Sequence, residues 1–250
     1  MVYDYPRIAR EVTGLVEQRI TPILGTTKAQ ELVEGTTYID KVAEDTVIGY
    51  LADNNIGCVL VTEESGLLGA GGLTVILDPL DGTTNALMGI PFYAVSLAFW
   101  GEKGEKYGFV KNLCTKEVYE AFENGTPLKN EKKIQPTCPK SIASGYIGKG
   151  FEKVLPLIDT WRCFGSLALE LCYVAEGKLK ALVDLREKAR VVDVAGAQII
   201  AEAAGIKVTD ERGNNPFADA FFDEKGFVRK NLICAPPDLH EQMLDALSKE

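Results

Sequence analysis

The chain has 250 residues and a formal net charge of −9, from 27 Lys and Arg against 36 Asp and Glu. Hydrophobic residues make up 46% and charged residues 25%, proportions typical of a folded globular protein, which excludes long disorder and fibrous repeats. The acidic balance argues against nucleic acid as a partner, because phosphate contacts need clustered Lys and Arg, and no apolar run reaches the roughly 18 to 20 residues of a membrane helix.

Two predicted helices open the chain. Apolar residues recur at helical spacing over 8–20 and again over 40–51; Pro22 stops the first pattern and Asn54-Asn-Ile-Gly ends the second. The polar segment 28–37 between them predicts an exposed loop. Asp40 then lies at the start of the second helix, where a carboxylate is favourable.

Short β-like runs bounded by turn residues follow the helices. They span residues 58–62, 73–77, 93–100, 107–110 and 118–122, and Asn124-Gly125 predicts a hairpin turn after the last. Carboxylates follow the first two strands, at Glu63-Glu64 and at Asp78. The segment Pro136-Thr-Cys-Pro is the one predicted internal boundary, so we expect a single domain over 1–250 with lobes of about 1–135 and 140–250.

Helices and strands alternate in the second half. Predicted helices span 166–176, 193–204 and 239–247, and predicted strands span 180–184, 207–209 and 232–235. This alternation indicates layered α and β structure. The two glycine-rich motifs of nucleotide-binding loops, G-x-G-x-x-G and G-x-x-x-x-G-K-S/T, do not occur in the sequence. The six cysteines form no C-x-x-C pair, which predicts buried free thiols and fits a reducing compartment. We expect a cytoplasmic location, since no apolar run is long enough for a membrane helix.

The segment Asp78-Pro-Leu-Asp-Gly-Thr carries the most chemical information. Carboxylates three positions apart, with the Leu80 carbonyl between them, can converge on a hard cation. The backbone N–H groups of Gly82 and Thr83 can then form an anion cradle. The alternative is a plain turn, because Asp-Pro and Asp-Gly are common turn dipeptides.

Three more carboxylates lie at predicted element ends: Glu63, Asp193 and Asp40. The alternative for Glu63 is a solvated surface glutamate, which is also our expectation for Glu64, and for the two aspartates it is a helix cap worth about 1 kcal/mol. The small residues Ala195-Gly-Ala let the helix that begins at Asp193 pack closely. Together with the Asp78 segment, these positions favour a shared metal cluster.

These motifs resemble the ordered signatures of the inositol monophosphatase family. The matching segments are Glu63-Glu-Ser, Asp78-Pro-Leu-Asp-Gly-Thr-Thr-Asn, Asp193-Val-Ala-Gly-Ala and Glu202-Ala-Ala-Gly. The resemblance implies an α+β fold, a layered α-β-α-β-α sandwich of two lobes with the active site between them. It also implies a homodimer and two or three Mg²⁺ ions per site.

The resemblance also implies roles for individual residues. Glu63, Asp78 and the Leu80 carbonyl would hold one ion, Asp78, Asp81 and Asp193 a second, and Glu63 with Asp40 or water a third. Thr83, hydrogen-bonded to Asp40, would activate the attacking water. Gly82, Thr83 and Asp81, with the turn at Gly165 and Ser166, would contact the substrate.

The chain departs from most of the family at Val192, where a Trp is usual. The nearby Asp184-Leu-Arg-Glu-Lys-Ala-Arg segment resembles an archaeal branch active on both inositol phosphates and fructose 1,6-bisphosphate. Arg186 and Arg190 are expected on a loop between the strand ending at Asp184 and the helix opening at Asp193. They would bind a second anionic or hydroxyl-rich part of the substrate, since guanidinium binds phosphate bidentately; the alternative is a solvated loop.

The predicted function is therefore a Mg²⁺-dependent phosphomonoesterase acting on inositol 1-phosphate, fructose 1,6-bisphosphate or both. No G-x-S-x-G nucleophile motif is present, and His240 is the one histidine. One alternative is a nucleotide phosphatase acting on 3′-phosphoadenosine 5′-phosphate, although such relatives are usually longer. The other is a regulatory binding protein that keeps the fold, against which the intact carboxylate set argues.

Overall fold

The computed structural model of the chain describes residues 3–136, 140–218, 221–223 and 226–249. The α-helices are α1 (Tyr5–Ile20), α2 (Tyr38–Asp53), α3 (Thr83–Met88), α4 (Phe151–Val154), α5 (Leu167–Glu176), α6 (Val191–Ala203) and α7 (Pro237–Ser248). Short 3-10 turns lie at Thr27–Gln30 and Leu155–Leu157.

Two large sheets contain most of the strands. The eight-stranded sheet has the order β10-β9-β8-β7-β6-β5-β3-β4, and the five-stranded sheet has the order β12-β11-β13-β17-β14. Two small hairpins, β1-β2 and β15-β16, stand apart from them. The strands are β1 (Leu32–Val33), β2 (Thr36–Thr37), β3 (Cys58–Thr62), β4 (Gly66–Gly69), β5 (Leu73–Asp81), β6 (Ala94–Trp100), β7 (Lys106–Asn112), β8 (Val118–Phe122), β9 (Leu128–Lys129), β10 (Lys132–Lys133), β11 (Ile142–Tyr146), β12 (Thr160–Arg162), β13 (Leu182–Ala189), β14 (Lys207–Thr209), β15 (Phe222–Asp223), β16 (Gly226–Phe227) and β17 (Lys230–Ala235).

Successive side chains of a strand point to opposite faces of its sheet, and helices pack against both faces of each sheet. Leu60 packs with α1 and α2 on the outer face of the eight-stranded sheet, whereas the next residue, Val61, faces α5 and α6 between the two sheets. Leu182 and Val183 repeat this alternation in the five-stranded sheet, with Val183 facing α4 and α7. The layers therefore run α-β-α-β-α, which confirms the predicted sandwich.

Helix α6 lies unusually close to the eight-stranded sheet. A Cβ atom on Gly196 would lie 2.5 Å from the backbone oxygen of Leu97, and one on Gly108 would lie 2.2 Å from the backbone oxygen of Gly196. Only two glycines facing each other allow this approach. The close packing predicted for the Ala195-Gly-Ala segment is confirmed.

The segment before α6 differs from its prediction. The strand predicted over 180–184 is β13, which continues to Ala189, and the predicted loop carrying Arg186 and Arg190 is absent. An irregularity in the pairing of β13 with β17 between Asp184 and Ala189 extends the strand, and Glu187 takes a left-handed conformation with φ 54°. Sequence periodicity does not reveal such a bulge.

Other differences are smaller. The predicted loop 28–37 contains a 3-10 turn and the β1-β2 hairpin. Helix α1 begins before residue 8, because Asp4 accepts a hydrogen bond from the Arg7 backbone N and Pro6 lies in the first turn. The elements that were not predicted are strands β4, β9, β10, β11, β12, β15 and β16 and helix α4.

All strands of the eight-stranded sheet precede residue 134, and all those of the five-stranded sheet follow residue 141. The predicted boundary at Pro136-Thr-Cys-Pro lies between the two sheets. Residues 137–139 of this boundary, which include Cys138, lie outside the described residues. The other five cysteines are free thiols, as predicted, but they are not all buried as predicted: Cys163 is exposed and Cys114 is partly exposed. Within the described ranges, no helix combines the length and the hydrophobicity that crossing a membrane would require.

Candidate active site

The Asp78 segment is a strand end, not a plain turn. Strand β5 runs through Asp81, its pairing with β6 shifts between Asp78 and Asp81, and α3 begins directly after Gly82. Gly82 has φ 94°, and a Cβ atom there would lie 3.0 Å from the Phe92 backbone oxygen and 3.2 Å from that of Gly165. Glycine therefore suits this position both by conformation and by space.

Three carboxylates converge at this end of the sheet. Glu63, Asp78 and Asp193 each offer an oxygen, and these oxygens lie within 4.8 Å of one another. Strands β3 and β5 pair in parallel with Thr62 opposite Leu77, so the residues that follow, Glu63 and Asp78, are neighbours. Asp193 arrives from the first turn of α6, as its third residue and not its first as predicted.

Burial and mutual repulsion make the metal-free cluster unfavourable when ionised. Loss of hydration is the main cause, and it raises the pKa of Glu63 to about 7 and that of Asp81 to about 8. The pKa of the fully buried Asp78 also lies well above its ordinary value, first through burial and then through Glu63 and Asp81. Buried carboxylate oxygens with a shared excess of negative charge form the kind of donor set that Mg²⁺ binds.

Asp81 lies beside this group but points to the second half of the chain. Its Oδ2 accepts hydrogen bonds from Ser166 Oγ at 2.5 Å and from the Ala168 backbone N at 2.7 Å. Ser166 caps the N-terminus of α5. Asp81 therefore stands between the carboxylate cluster and the predicted substrate-binding turn at Gly165 and Ser166.

Thr83 and Asp40 form the predicted hydrogen bond. Thr83 Oγ1 lies 2.8 Å from Asp40 Oδ1 and 3.0 Å from the Leu80 carbonyl oxygen, and its one proton is donated to one of these acceptors at a time. Thr37 Oγ1 donates to Asp40 Oδ2 at 2.6 Å. Burial, the largest cause, raises the pKa of Asp40 to about 6. Asp40 is the third residue of α2, and both of its oxygens are engaged.

Sequence reasoning missed the residues that support the Gly165 turn. The buried carboxylate of Glu170 accepts hydrogen bonds from Ser144 Oγ at 2.5 Å, Tyr146 hydroxyl at 2.7 Å and the Phe164 backbone N at 2.8 Å. The Tyr146 hydroxyl oxygen in turn accepts the Gly165 N–H at 3.0 Å. The signal was a single acidic residue inside the apolar helix sequence Leu-Ala-Leu-Glu-Leu.

Asn85 also links the first half of the chain to the second half by hydrogen bonds. Its Nδ2 donates to the backbone oxygens of Phe92 at 2.8 Å and Phe164 at 2.7 Å. Asn85 belongs to the quoted motif, but its role was not predicted. The Asp78 segment and the Gly165 turn are thus held against each other by side-chain hydrogen bonds from both Asp81 and Asn85.

The two arginines are paired, which excludes the solvated-loop alternative. Arg186 forms a bidentate pair with Asp184, at 2.9 and 2.7 Å, and its guanidinium carbon lies 3.9 Å from the centre of the Tyr146 ring. Arg190 lies in the carboxylate cluster, with Nη2 2.7 Å from Glu63 Oε1 and 2.6 Å from Asp193 Oδ1. The sequence did not predict that position for Arg190.

Known proteins resemble this chain in sequence and in fold. The model of the inositol monophosphatase family matches residues 6–250. A fructose-1,6-bisphosphatase/inositol-1-monophosphatase of Methanothermobacter thermautotrophicus is 33% identical over 276 residues, which covers 98% of this chain and 97% of that protein. A bifunctional NADP phosphatase/NAD kinase of Methanocaldococcus jannaschii is 32% identical over 288 residues, covering 95% of this chain and 49% of that protein.

Solved structures agree with these sequence matches. A hypothetical protein from Pyrococcus horikoshii with similarities for inositol-1 monophosphatase superposes with a TM-score of 0.84. It is 32% identical, and the match covers 98% of each chain. The chain therefore belongs to the inositol monophosphatase family.

Proposed function

We propose that the chain, a phosphatase of the inositol monophosphatase family, hydrolyses inositol 1-phosphate, fructose 1,6-bisphosphate or both, with Mg²⁺ as its cofactor. The observation that carries the proposal is the convergence of Glu63, Asp78 and Asp193 within 4.8 Å, next to the hydrogen-bonded pair of Thr83 and Asp40. A largely buried carboxylate cluster of this kind, at the end of one sheet and the start of α6, is costly to the fold unless a cation uses it.

The donor set supports the metal ligands that the family resemblance implies. Glu63, Asp78 and the Leu80 carbonyl would hold one ion, Asp78, Asp81 and Asp193 a second, and Glu63 with Asp40 or water a third. When bound, Mg²⁺ supplies Lewis acidity toward the phosphate oxygens and lowers the pKa of bound water.

Thr83 and Asp40 orient the nucleophilic water. When the Thr83 hydroxyl donates to Asp40, its oxygen lone pairs are free to accept a proton of the attacking water. Asp40 is held in place by Thr37, so this acceptor for the Thr83 hydroxyl is positioned before the substrate arrives. The N–H groups of Gly82 and Thr83, with the turn at Gly165 and Ser166, would hold the phosphate.

Arg186 is the group best placed for a second anionic part of the substrate. Its side chain is one third exposed, and the aromatic ring of Tyr146 and the carboxylate of Asp184 fix its plane. Arg190 is engaged with the metal-ligand candidates Glu63 and Asp193, so its position favours a role at the ion site over contact with the far end of the substrate.

A phosphate-release panel tests the proposal. Inositol 1-phosphate, fructose 1,6-bisphosphate, 3′-phosphoadenosine 5′-phosphate and NADP are compared at equal concentration, with Mg²⁺ and with EDTA. The expected result is release from one or both sugar phosphates that requires Mg²⁺. Asp78→Asn is the inactive control. Turnover that persists in EDTA, or no release from any substrate with Mg²⁺, would contradict the proposal.

A nucleotide phosphatase is the second candidate, because one relative is a bifunctional NADP phosphatase/NAD kinase. Preferential release from NADP or 3′-phosphoadenosine 5′-phosphate in the same panel would favour it. Absence of activity on all four, with Mg²⁺ bound, would favour a regulatory binding protein. We also propose a cytoplasmic homodimer, and sedimentation analysis checks the oligomeric state.

A further inference from the structure

Arg190 touches two of the three clustered carboxylates with a single nitrogen. Its Nη2 lies 2.6 Å from Asp193 Oδ1 and 2.7 Å from Glu63 Oε1, and its Nε lies 3.1 Å from Asp193 Oδ2. In the part of the chain that the structure describes, Arg190 is the one basic residue within salt-bridge distance of Glu63, Asp78 or Asp193. The guanidinium is therefore the positive charge that offsets this cluster.

This nitrogen contacts the carboxylates of Glu63 and Asp193, two of the three residues that would hold a metal ion. Mg²⁺ binds carboxylate oxygens at about 2.0 to 2.1 Å and repels a neighbouring cation. Guanidinium cannot lose its charge by deprotonation in a protein, so a cation held by the same carboxylates would favour its displacement from the cluster.

Arg190 can move without loss of the helix start. Its backbone N–H donates to Asp193 Oδ2 at 2.8 Å, and this contact does not depend on the side chain. Arg190 sits at the N-cap position of α6, after the bulged end of β13, with about a fifth of its side chain exposed. The guanidinium can therefore leave the cluster by side-chain rotation.

We propose that Arg190 is a positioning residue that holds Glu63 and Asp193 together before metal binds, and that it competes with the metal for these two carboxylates. The proposal rests on the metal-dependent function proposed above. It predicts that Arg190 weakens metal affinity, which is the opposite of what a residue needed to build the site would do.

Direct metal binding separates these possibilities. Mn²⁺ is titrated into the metal-free protein, and free Mn²⁺ is counted by electron paramagnetic resonance, a readout that does not depend on turnover. The variants are Arg190→Met and, as the matched control, Arg186→Met, which removes the same charge from a guanidinium paired with Asp184 outside the cluster. The expected result is that Arg190→Met binds Mn²⁺ about tenfold more tightly, as for loss of one charge-assisted contact, while Arg186→Met changes affinity less than twofold.

Thermal unfolding gives the second readout. Without metal, Arg190→Met should melt below the wild type, because its carboxylates lose their counter-charge, and saturating Mn²⁺ should close most of that gap. If Arg190→Met does not fold without metal, Arg190→Lys is measured in its place. A lysine ammonium lacks the planar fork that lets guanidinium bridge both carboxylates. We therefore expect Arg190→Lys to bind Mn²⁺ about threefold more tightly than the wild type.

Equal or weaker Mn²⁺ affinity in the Arg190 variants would overturn the inference while leaving the proposed function standing. Equal gains in Arg190→Met and Arg186→Met would also overturn it, since the effect would then be one of net charge. If the wild type binds no Mn²⁺, the proposed metal-dependent function fails and the inference fails with it.

Discussion

The close approach of α6 to the eight-stranded sheet makes Gly196→Ala a sharp test of how the site is positioned. A Cβ atom at this position would lie 2.5 Å from the Leu97 oxygen, so the helix has to retreat by about 0.9 Å to reach ordinary van der Waals contact at 3.4 Å. Asp193 lies less than one turn away on the same helix and moves with it. The carboxylate then leaves its place beside Glu63 and Asp78.

Two magnitudes follow from this displacement. Overpacking costs roughly 1 to 3 kcal/mol, which exceeds the 0.5 to 1 kcal/mol that alanine gains over glycine inside a helix. A displacement near 1 Å at a reacting group costs about 10²-fold in rate. We therefore expect Gly196→Ala to lower both the free energy of unfolding and kcat/KM for inositol 1-phosphate.

Gly14→Ala is the matched control, because Gly14 lies inside α1 and a Cβ atom added there would meet no neighbouring atom within 4 Å. It should raise stability by about 0.5 to 1 kcal/mol and leave activity unchanged. Urea unfolding with excess Mg²⁺ and phosphate release at saturating Mg²⁺ are measured for both variants. Wild-type kcat/KM in Gly196→Ala would refute the reasoning, since the helix would then have room to spare.

Four further predictions concern the site itself. Asp81→Asn should abolish phosphate release but leave circular dichroism unchanged, because an amide oxygen can still accept from Ser166 and Ala168 but carries no charge; a folded and active variant would remove Asp81 from the ligand set. Thr83→Ala should lower kcat by about 10² to 10⁴ with Mn²⁺ affinity little changed, whereas a rise in KM alone would assign Thr83 to phosphate binding. Arg186→Ala should lower kcat/KM for fructose 1,6-bisphosphate about tenfold more than for p-nitrophenyl phosphate, and equal losses would indicate a structural role. Burial raises the pKa of Glu63 to about 7, so between about pH 4 and 8 the folded metal-free protein retains a proton that the unfolded chain has released. Its free energy of unfolding in EDTA should therefore fall by at least about 2 kcal/mol as pH rises over this range. A constant or rising free energy of unfolding would contradict this prediction.

Strand-end carboxylates were the most predictable part of the site. Glu63 and Asp78 each follow a buried apolar run, and the parallel pairing of β3 with β5 makes them neighbours, as the sequence pattern indicated. The hydrogen bond from Thr83 to Asp40 was expected from the family resemblance and is present. The carboxylate positions depend on local order along the chain and on one strand pairing, whereas the Thr83–Asp40 contact joins two helices and was expected from the resemblance alone.

Contacts between distant segments were harder to predict. The salt bridge of Arg190 with Glu63 joins residues far apart in sequence, and it depends on the bulge in β13 and on the left-handed Glu187, neither of which changes the hydrophobic pattern. Glu170 was overlooked because its helix reads as core, and its hydroxyl partners come from another strand. Only the folded structure shows which buried polar side chains have hydrogen-bond partners.

The central helical layer has a consequence for protein engineering. Because α5 and α6 fill the space between the two sheets, the inner face of the eight-stranded sheet is covered by chain segments beyond residue 166. A fragment ending near residue 135 would therefore expose the inner face of that sheet to water and would be expected to aggregate. The two sheets share one interior, so they cannot be exchanged between relatives as independent modules, and a chimaera has to carry α5 and α6 together with the sheet they cover.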